Sequence, residues 1–418
     1  MKKDSIRQFL KNFKEKTKAS EKFGLELFPT DRDRFIFLSL ILILATSSLI
    51  FEWVNFVEFT KFSKVEREFF VESQFKKKDK IVLKLRDKSG FVFYSSLKEN
   101  IIDLRGMTIL GEFKIRNLSF FEYLRGAYLE NIGIKFSREK DFRFKISAKI
   151  SEIHESSKIS EFYSALFLAT SISPELRKDL TRLGINHLVV LSGFHVSLIL
   201  LIINFISFIF YKPIQSRFFP YRNFYRDSII FSLFPIFLYL YFLDFPPSFL
   251  RAVGMTTFVL FLLDRNILQK PFETLFFVAI FLIAISPRLF FSIGFWLSIS
   301  GVFYIFLYLQ IFRLNKFLNF IFFNFWVFFA MIPIIHYIFP EFYFTQLFSP
   351  VWTVLFIFFY PIAILIHLFG FPQILDSFLI KFLEIGVSET PKVFYTDFYF
   401  LTFYILFSLF LFLKTKSE

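Results

Sequence analysis

Long apolar runs, separated by short charged or proline-bearing links, leave this chain few ways to fold. After a charged tail (1–34) comes a first run at 35–54. Beyond residue 186 the runs recur at about 186–211, 228–244, 248–263, 271–286, 289–312, 318–339, 346–370 and 395–413. Crossing a bilayer's hydrocarbon core takes about 20 helical residues. Backbone polar groups cannot be left unpaired there, so such runs form helices. The expected class is a polytopic α-helical membrane protein.

The links test this segmentation. Lys212–Arg226, Asp264–Lys270 and Arg313–Lys316 carry cations, whereas Phe245–Pro247 and Phe339–Thr345 carry none. Cations flank the cytoplasmic side. With the tail inside, these three basic links fall inside and the two links without cations fall outside, as far as residue 370. Residues 373–390 leave the parity open: they could cross, re-enter or lie on the surface.

Residues 55–156 have a different texture. Ile81–Arg86, Phe91–Tyr94, Met107–Arg116 and Phe142–Ile150 alternate apolar with polar, as half-buried strands do, with glycines between them. A small β-barrel-like domain outside the cytoplasmic membrane is expected here. Residues 157–185 read as amphipathic, interfacial helices leading into a channel-like bundle over 186–413, with a short tail at 414–418.

Composition narrows the chemistry. There is no cysteine, which excludes disulfides, thiolate nucleophiles and Cys-type zinc sites. The charged start shows no cleavable signal. The 73 phenylalanines are spread through every lipid-facing run, which fits a coding bias better than base-stacking platforms. The net charge of +14 serves topology and also suits an anionic substrate.

Two of the five histidines lie in His187-Leu-Val-Val-Leu-Ser-Gly-Phe-His-Val196. In a continuous helix His187 and His195 would stand about 12 Å apart, too far to share a zinc ion unless the helix breaks at Gly193. Ser192 and His195 share a helix face, the spacing of a serine nucleophile and its base. No Gly-x-Ser-x-Gly elbow or oxyanion donor accompanies them. On chemistry alone the favoured reading is architectural: Ser-Gly permits close backbone approach and the histidines line a polar path. Arg251 sits inside an apolar run, where a cation needs a partner or water. Either it snorkels to the interface or pairs with Asp244, or it faces a conduit for phosphates. Arg288 reads as an interfacial anchor, and His336 and His367 as packing histidines.

Together these residues resemble the ComEC family of competence proteins. The resemblance runs over about 160–370. It rests on Arg182-Leu-Gly-Ile-Asn-His-Leu-Val-Val-Leu-Ser-Gly-Phe-His-Val196, Ser248-Phe-Leu-Arg-Ala-Val-Gly-Met255, Asp264-Arg265, Ser286-Pro287 and Gly294-Phe-Trp-Leu-Ser298. The chain departs from the pattern at Trp296, Thr353 and Phe358. No His-x-His-x-Asp-His pattern occurs, so the nuclease activity of the family's metallo-β-lactamase-like domain is not expected.

The resemblance implies an inner-membrane, multi-pass channel that moves single-stranded DNA into the cytoplasm during natural transformation, without catalysis, cofactor or metal. His187, Ser192, Gly193, His195, Arg251 and Ser298 become conduit candidates. The family's exported OB-like domain would bind the strand through Lys76, Lys77, Lys78, Lys84, Arg86, Phe91 and Phe93. Membrane lipids, a periplasmic DNA-receptor protein, a cytoplasmic helicase and further copies of the chain are the partners such a channel admits. The alternatives are an intramembrane hydrolase using Ser192 and His195, and a small-solute transporter. The transporter predicts a symmetry between halves that is not visible.

Overall fold

The computed structural model describes residues 25–26, 30–77, 80–97, 103–136, 141–264, 267–268, 271–312 and 315–417. Most of the charged tail, Lys78 and Arg265 lie outside them. After a two-residue strand, β1 (Leu25–Glu26), the first helix α1 spans Asp31–Thr60. Thr30 and Asp33 form a capping box at its start, and Asp31 and Asp33 place negative charge in its first turn. Thirty residues make about 45 Å of helix, more than a bilayer core needs. The excess carries α1 past the expected end at residue 54, and Phe59 enters the core of the next unit.

That unit is a sheet of β2 (Lys64–Lys77), β3 (Lys80–Arg86), β4 (Val92–Leu97), β5 (Thr108–Lys114), β6 (Ala127–Tyr128) and β7 (Glu130–Phe136). A short helix, α2 (Phe120–Arg125), precedes β6. The strand order is β6-β4-β3-β2-β5-β7, antiparallel except for the parallel β4–β6 pair. Alternate residues point inward, as the alternation predicts. Phe69, Phe93 and Phe113 meet edge to face with ring centroids 5.0–5.2 Å apart. The sheet is curled, because Ala127–Phe136 pairs with β4 at its start and with β5 along its length.

Phe142–Ile150, expected as a strand, is part of a helix, α3 (Phe142–Ile153). Its apolar residues fit either period. The three- and four-residue spacing wins because it lays Ile146 and Ile150 against the next helix, α4 (Ser157–Leu168). α4 is not a surface helix either. Ile159, Phe162, Tyr163, Leu166 and Leu168 are buried in the largest hydrophobic cluster of the molecule.

The chain continues through α5 (Pro174–Arg182), α6 (Asn186–Val189), α7 (Gly193–Phe218), α8 (Phe224–Phe242) and α9 (Pro247–Asp264). After β8 (Ile267–Leu268) come α10 (Pro271–Ile285), a 3-10 turn (Pro287–Phe291), α11 (Ile293–Ile311) and α12 (Lys316–Ile338). Then follow β9 (Glu341–Phe342), α13 (Ser349–Leu368), α14 (Asp376–Leu383), β10 (Lys392–Val393) and α15 (Phe398–Ser417). Four helical segments among the described residues are long and apolar enough to cross a membrane: Asp31–Thr60, Gly193–Phe218, Ile293–Ile311 and Phe344–Leu368. Shorter apolar helices lie beside them. Helices of this length and composition fit the membrane protein expected from the sequence.

Two short ladders organise the ends of the bundle. β1 pairs in parallel with β8, so Leu25–Glu26 and Ile267–Leu268 share one end. β9 pairs with β10, so the chain entering α13 and the chain leaving α14 share the other. α15 then runs back until Phe412 meets Phe272 at the start of α10, with centroids 4.1 Å apart. Residues 343–391 therefore leave one end of the bundle and return to it. With only eight residues, about 12 Å, α14 is too short to cross a bilayer.

Candidate functional site

The stretch 182–196 is not one helix. α5 stops at Arg182, Gly184 turns the chain at φ +70°, and one turn of α6 carries His187. The backbone is extended at Val190 and Ser192 before α7 starts at Gly193. The helical spacing between His187 and His195 does not apply. His187 is exposed, while His195 is fully buried against Phe356 and Tyr360. Among the described residues, no group of three or more His, Cys, Asp or Glu side chains converges to hold a metal ion.

Ser192 and His195 build the start of α7. Ser192 is the N-cap, and the Nδ1 of His195 accepts its backbone N–H at 3.2 Å. This is a capping box with an imidazole in place of Glu or Gln. The Ser192 hydroxyl stands 3.4 Å from the same nitrogen, a weak contact. A nucleophile needs a base free to take its proton and a third group to orient that base. Here Nδ1 already accepts an amide hydrogen, and the buried Nε2 has no partner. The pair works as a helix cap.

Glycine matters more at 184 than at 193. A Cβ on Gly193 would meet Ala252 at 3.5 Å, an ordinary contact. A Cβ on Gly184 would lie 3.0 Å from that of Ser349, at a φ that side chains rarely adopt. Around that turn, Gln346 donates to the Thr181 carbonyl at 2.9 Å, Ser349 to Gly184 at 2.8 Å and Thr345 to Arg182 at 2.7 Å. The buried Arg182 guanidinium bonds Asp179 at 2.8 Å. It also donates to the carbonyls of Leu383 and Ile385, where α14 ends.

The signature stretches also hold one another. Ser248 Oγ donates to the Leu191 carbonyl at 2.6 Å, and Arg251 Nη2 to the Gly294 carbonyl at 2.9 Å. The first turns of α9 thus bridge the start of α7 and the start of α11. Ser298 follows Gly294 by one turn, on the same face of α11. His195 faces α13 whereas Arg251 faces α11, so the two candidates line different sides of the α7–α9 contact.

Arg251 is only 4% exposed. Its contacts are the Gly294 carbonyl and the face of Phe295, 5.8 Å from the ring centroid, while its Nε has no partner. Among the described residues it forms no ion pair. Asp244, the partner the sequence offers, is taken by Arg86 of β3. Arg288 is no interfacial anchor: it bonds Glu52 of α1 at 2.6 Å and the Tyr123 hydroxyl at 3.2 Å, tying bundle to sheet. His336 is a satisfied packing residue, with Nδ1 3.1 Å from the Phe339 carbonyl.

The sheet's candidate binding residues fare unevenly. Phe93, on the inward phase of β4, and Phe91, just before the strand, are wholly buried in the core. The stacking role expected of them is corrected. Lys84 lies 2.8 Å from Glu72, and Arg86 lies 3.2 Å from Glu72, besides engaging Asp244. Lys76 and Lys77 stand exposed at the β2–β3 hairpin, and Lys78 falls outside the described residues.

Sequence reading missed His154, at the corner between α3 and α4. It is buried between Asp376 and His367, both more than two hundred residues further along the chain. No spacing rule could have joined them.

A family model described as Competence protein matches residues 169–411, which cover all the signature stretches. No curated protein and no solved structure matches the chain.

Proposed function

The chain belongs to the competence protein family, which acts in DNA uptake, and on that premise we propose that it is a cell-membrane channel for single-stranded DNA. The observation that carries this reading is Arg251. A buried guanidinium without a counter-charge is costly. A phosphate passing between α9 and α11 would supply that charge through two parallel hydrogen bonds. Such contacts follow the backbone of a strand without reading its sequence. Ser298, on the same face of α11 as Gly294, would lie along the path. Ser192, His195 and Gly193 frame it by fixing the start of α7, and the exposed His187 stands at its margin.

The sheet fits the exported domain. Ala127–Phe136 touches β4 and β5 at once, which supports a closed OB-type barrel. Its exposed Lys76 and Lys77 would offer phosphates a first contact. Force would come from a cytoplasmic helicase or the proton gradient. The test is Arg251→Ala: uptake of labelled single-stranded DNA should fall about tenfold or more, with membrane insertion intact. Undiminished uptake would remove Arg251 from the path.

A further inference from the structure

The segment 343–391, which returns to the end of the bundle it leaves, packs on α4 and α7 and has two clusters of polar contacts. One is the Arg182–Gly184 turn. The other is a buried group made by His154, His367 on α13 and Asp376 at the start of α14. His154 Nδ1 lies 2.8 Å from Asp376 Oδ2, its Nε2 lies 3.3 Å from His367 Nε2, and His367 Nδ1 lies 2.7 Å from the Ala363 carbonyl.

These partners fix where the hydrogens go. A carbonyl only accepts, so His367 carries a hydrogen on Nδ1. An ionised carboxylate imposes the same on His154. Two neutral rings so fixed would face each other lone pair to lone pair across 3.3 Å. One added proton turns that repulsion into a charge-assisted hydrogen bond. Burial opposes the charge, and Asp376 supplies the opposite charge at contact distance.

Among the described residues, the other titratable group against the pair is Tyr163 of α4. Its ring stacks on His154 with centroids 4.9 Å apart, and meets His367 edge-on at 4.4 Å. Burial, reinforced by Asp376, pushes its hydroxyl well above the ordinary phenol range, so it stays neutral. Two imidazoles with no third protein ligand do not make a zinc site.

We propose that His154 and His367 share one proton, and that this proton latches the returning segment 343–391 to the corner between α3 and α4. The latch stands on these contacts alone and does not depend on what the molecule transports. Protonation favours the latched arrangement. By linkage the latch holds at acidic pH and loosens as the pH rises.

Hydrogen exchange of the full chain in lipid nanodiscs tests this, with rates corrected for intrinsic pH dependence. Between about pH 5.5 and about pH 8.5, amides of 372–383 should lose about tenfold or more of their protection, while those of β3 keep theirs. His154→Gln and His367→Gln should each remove the pH dependence. Asp376→Asn, which keeps the shape but not the charge, should move the midpoint to lower pH, and it serves as the test where a glutamine variant does not fold. Protection that ignores pH in the unaltered chain, or an unmoved midpoint in Asp376→Asn, overturns the latch. Protection abolished by a chelator also overturns it, because a metal would then bridge the rings.

Discussion

The paired cations on the sheet face and Arg251 of the bundle stand in opposite situations, although Arg182 and Arg222 of the bundle also have carboxylate partners. On the sheet, Lys64 faces Glu112, Arg67 faces Glu58 and Asp87, Lys84 and Arg86 face Glu72, and Lys88 faces Glu68. In the bundle, Arg251 is buried beside a carbonyl and a ring, without a carboxylate. A count of Lys and Arg would send a polyanion to the sheet. Pairing sends it to the bundle, because a cation already neutralised releases little on meeting a phosphate, whereas an uncompensated one gains its missing partner.

The largest effect expected from pressing this contrast concerns Phe93. Its ring lies between those of Phe69 and Phe113. Phe93→Ala should therefore cost the sheet about 3–5 kcal/mol, the usual range for a core phenylalanine. Hydrogen exchange should show β2 to β5 opening together. If the sheet stays closed and only its affinity for single-stranded DNA drops, the ring is a stacking platform and the contrast between the two regions fails.

A smaller effect separates architecture from chemistry within the bundle. Ser192→Ala removes an N-cap side chain and should lower stability by about 1 kcal/mol, seen as an earlier thermal midpoint. A fluorophosphonate probe should leave the unaltered chain unlabelled, since His195 Nδ1 is occupied by the Ser192 amide. Labelling that disappears in Ser192→Ala would make the capping box an active site after all.

What the sequence made legible was local. Hydropathy located the long apolar helices, because lipid imposes one rule on every run; the short helices α2, α6 and α14 were not legible this way. Alternation found β3, β4 and β5, and it misplaced Phe142–Ile150 only where two periods fit the same residues. The Ser-x-x-His spacing was visible at once, yet it serves equally for a nucleophile and for a cap. Only the N–H of Ser192 pointing at His195 decides between them. Long-range pairings were not legible. Arg86 meets Asp244 across 158 residues, and His154 meets Asp376 across 222. Such contacts depend on how helices pack, which no spacing within a single run records.

The subtlest test concerns the Arg86–Asp244 pair, which joins the sheet to the α8–α9 turn. The side chains are 28% and 40% exposed, so solvent screens them and the pair contributes at most about 1 kcal/mol. Asp244→Asn should leave folding nearly unchanged. It should also release part of Arg86's charge, since Glu72 at 3.2 Å holds only one edge of the guanidinium. Binding of single-stranded DNA should then tighten slightly at low salt, with a salt dependence steeper by about 0.7, the slope of one more phosphate contact on a single strand. An unchanged slope would mean that Glu72 alone keeps Arg86 engaged, and that the sheet's paired face is neutral to DNA. A slope steeper by several contacts would mean that Asp244 had been holding the whole face closed, and that the sheet rather than Arg251 is where the strand is first bound.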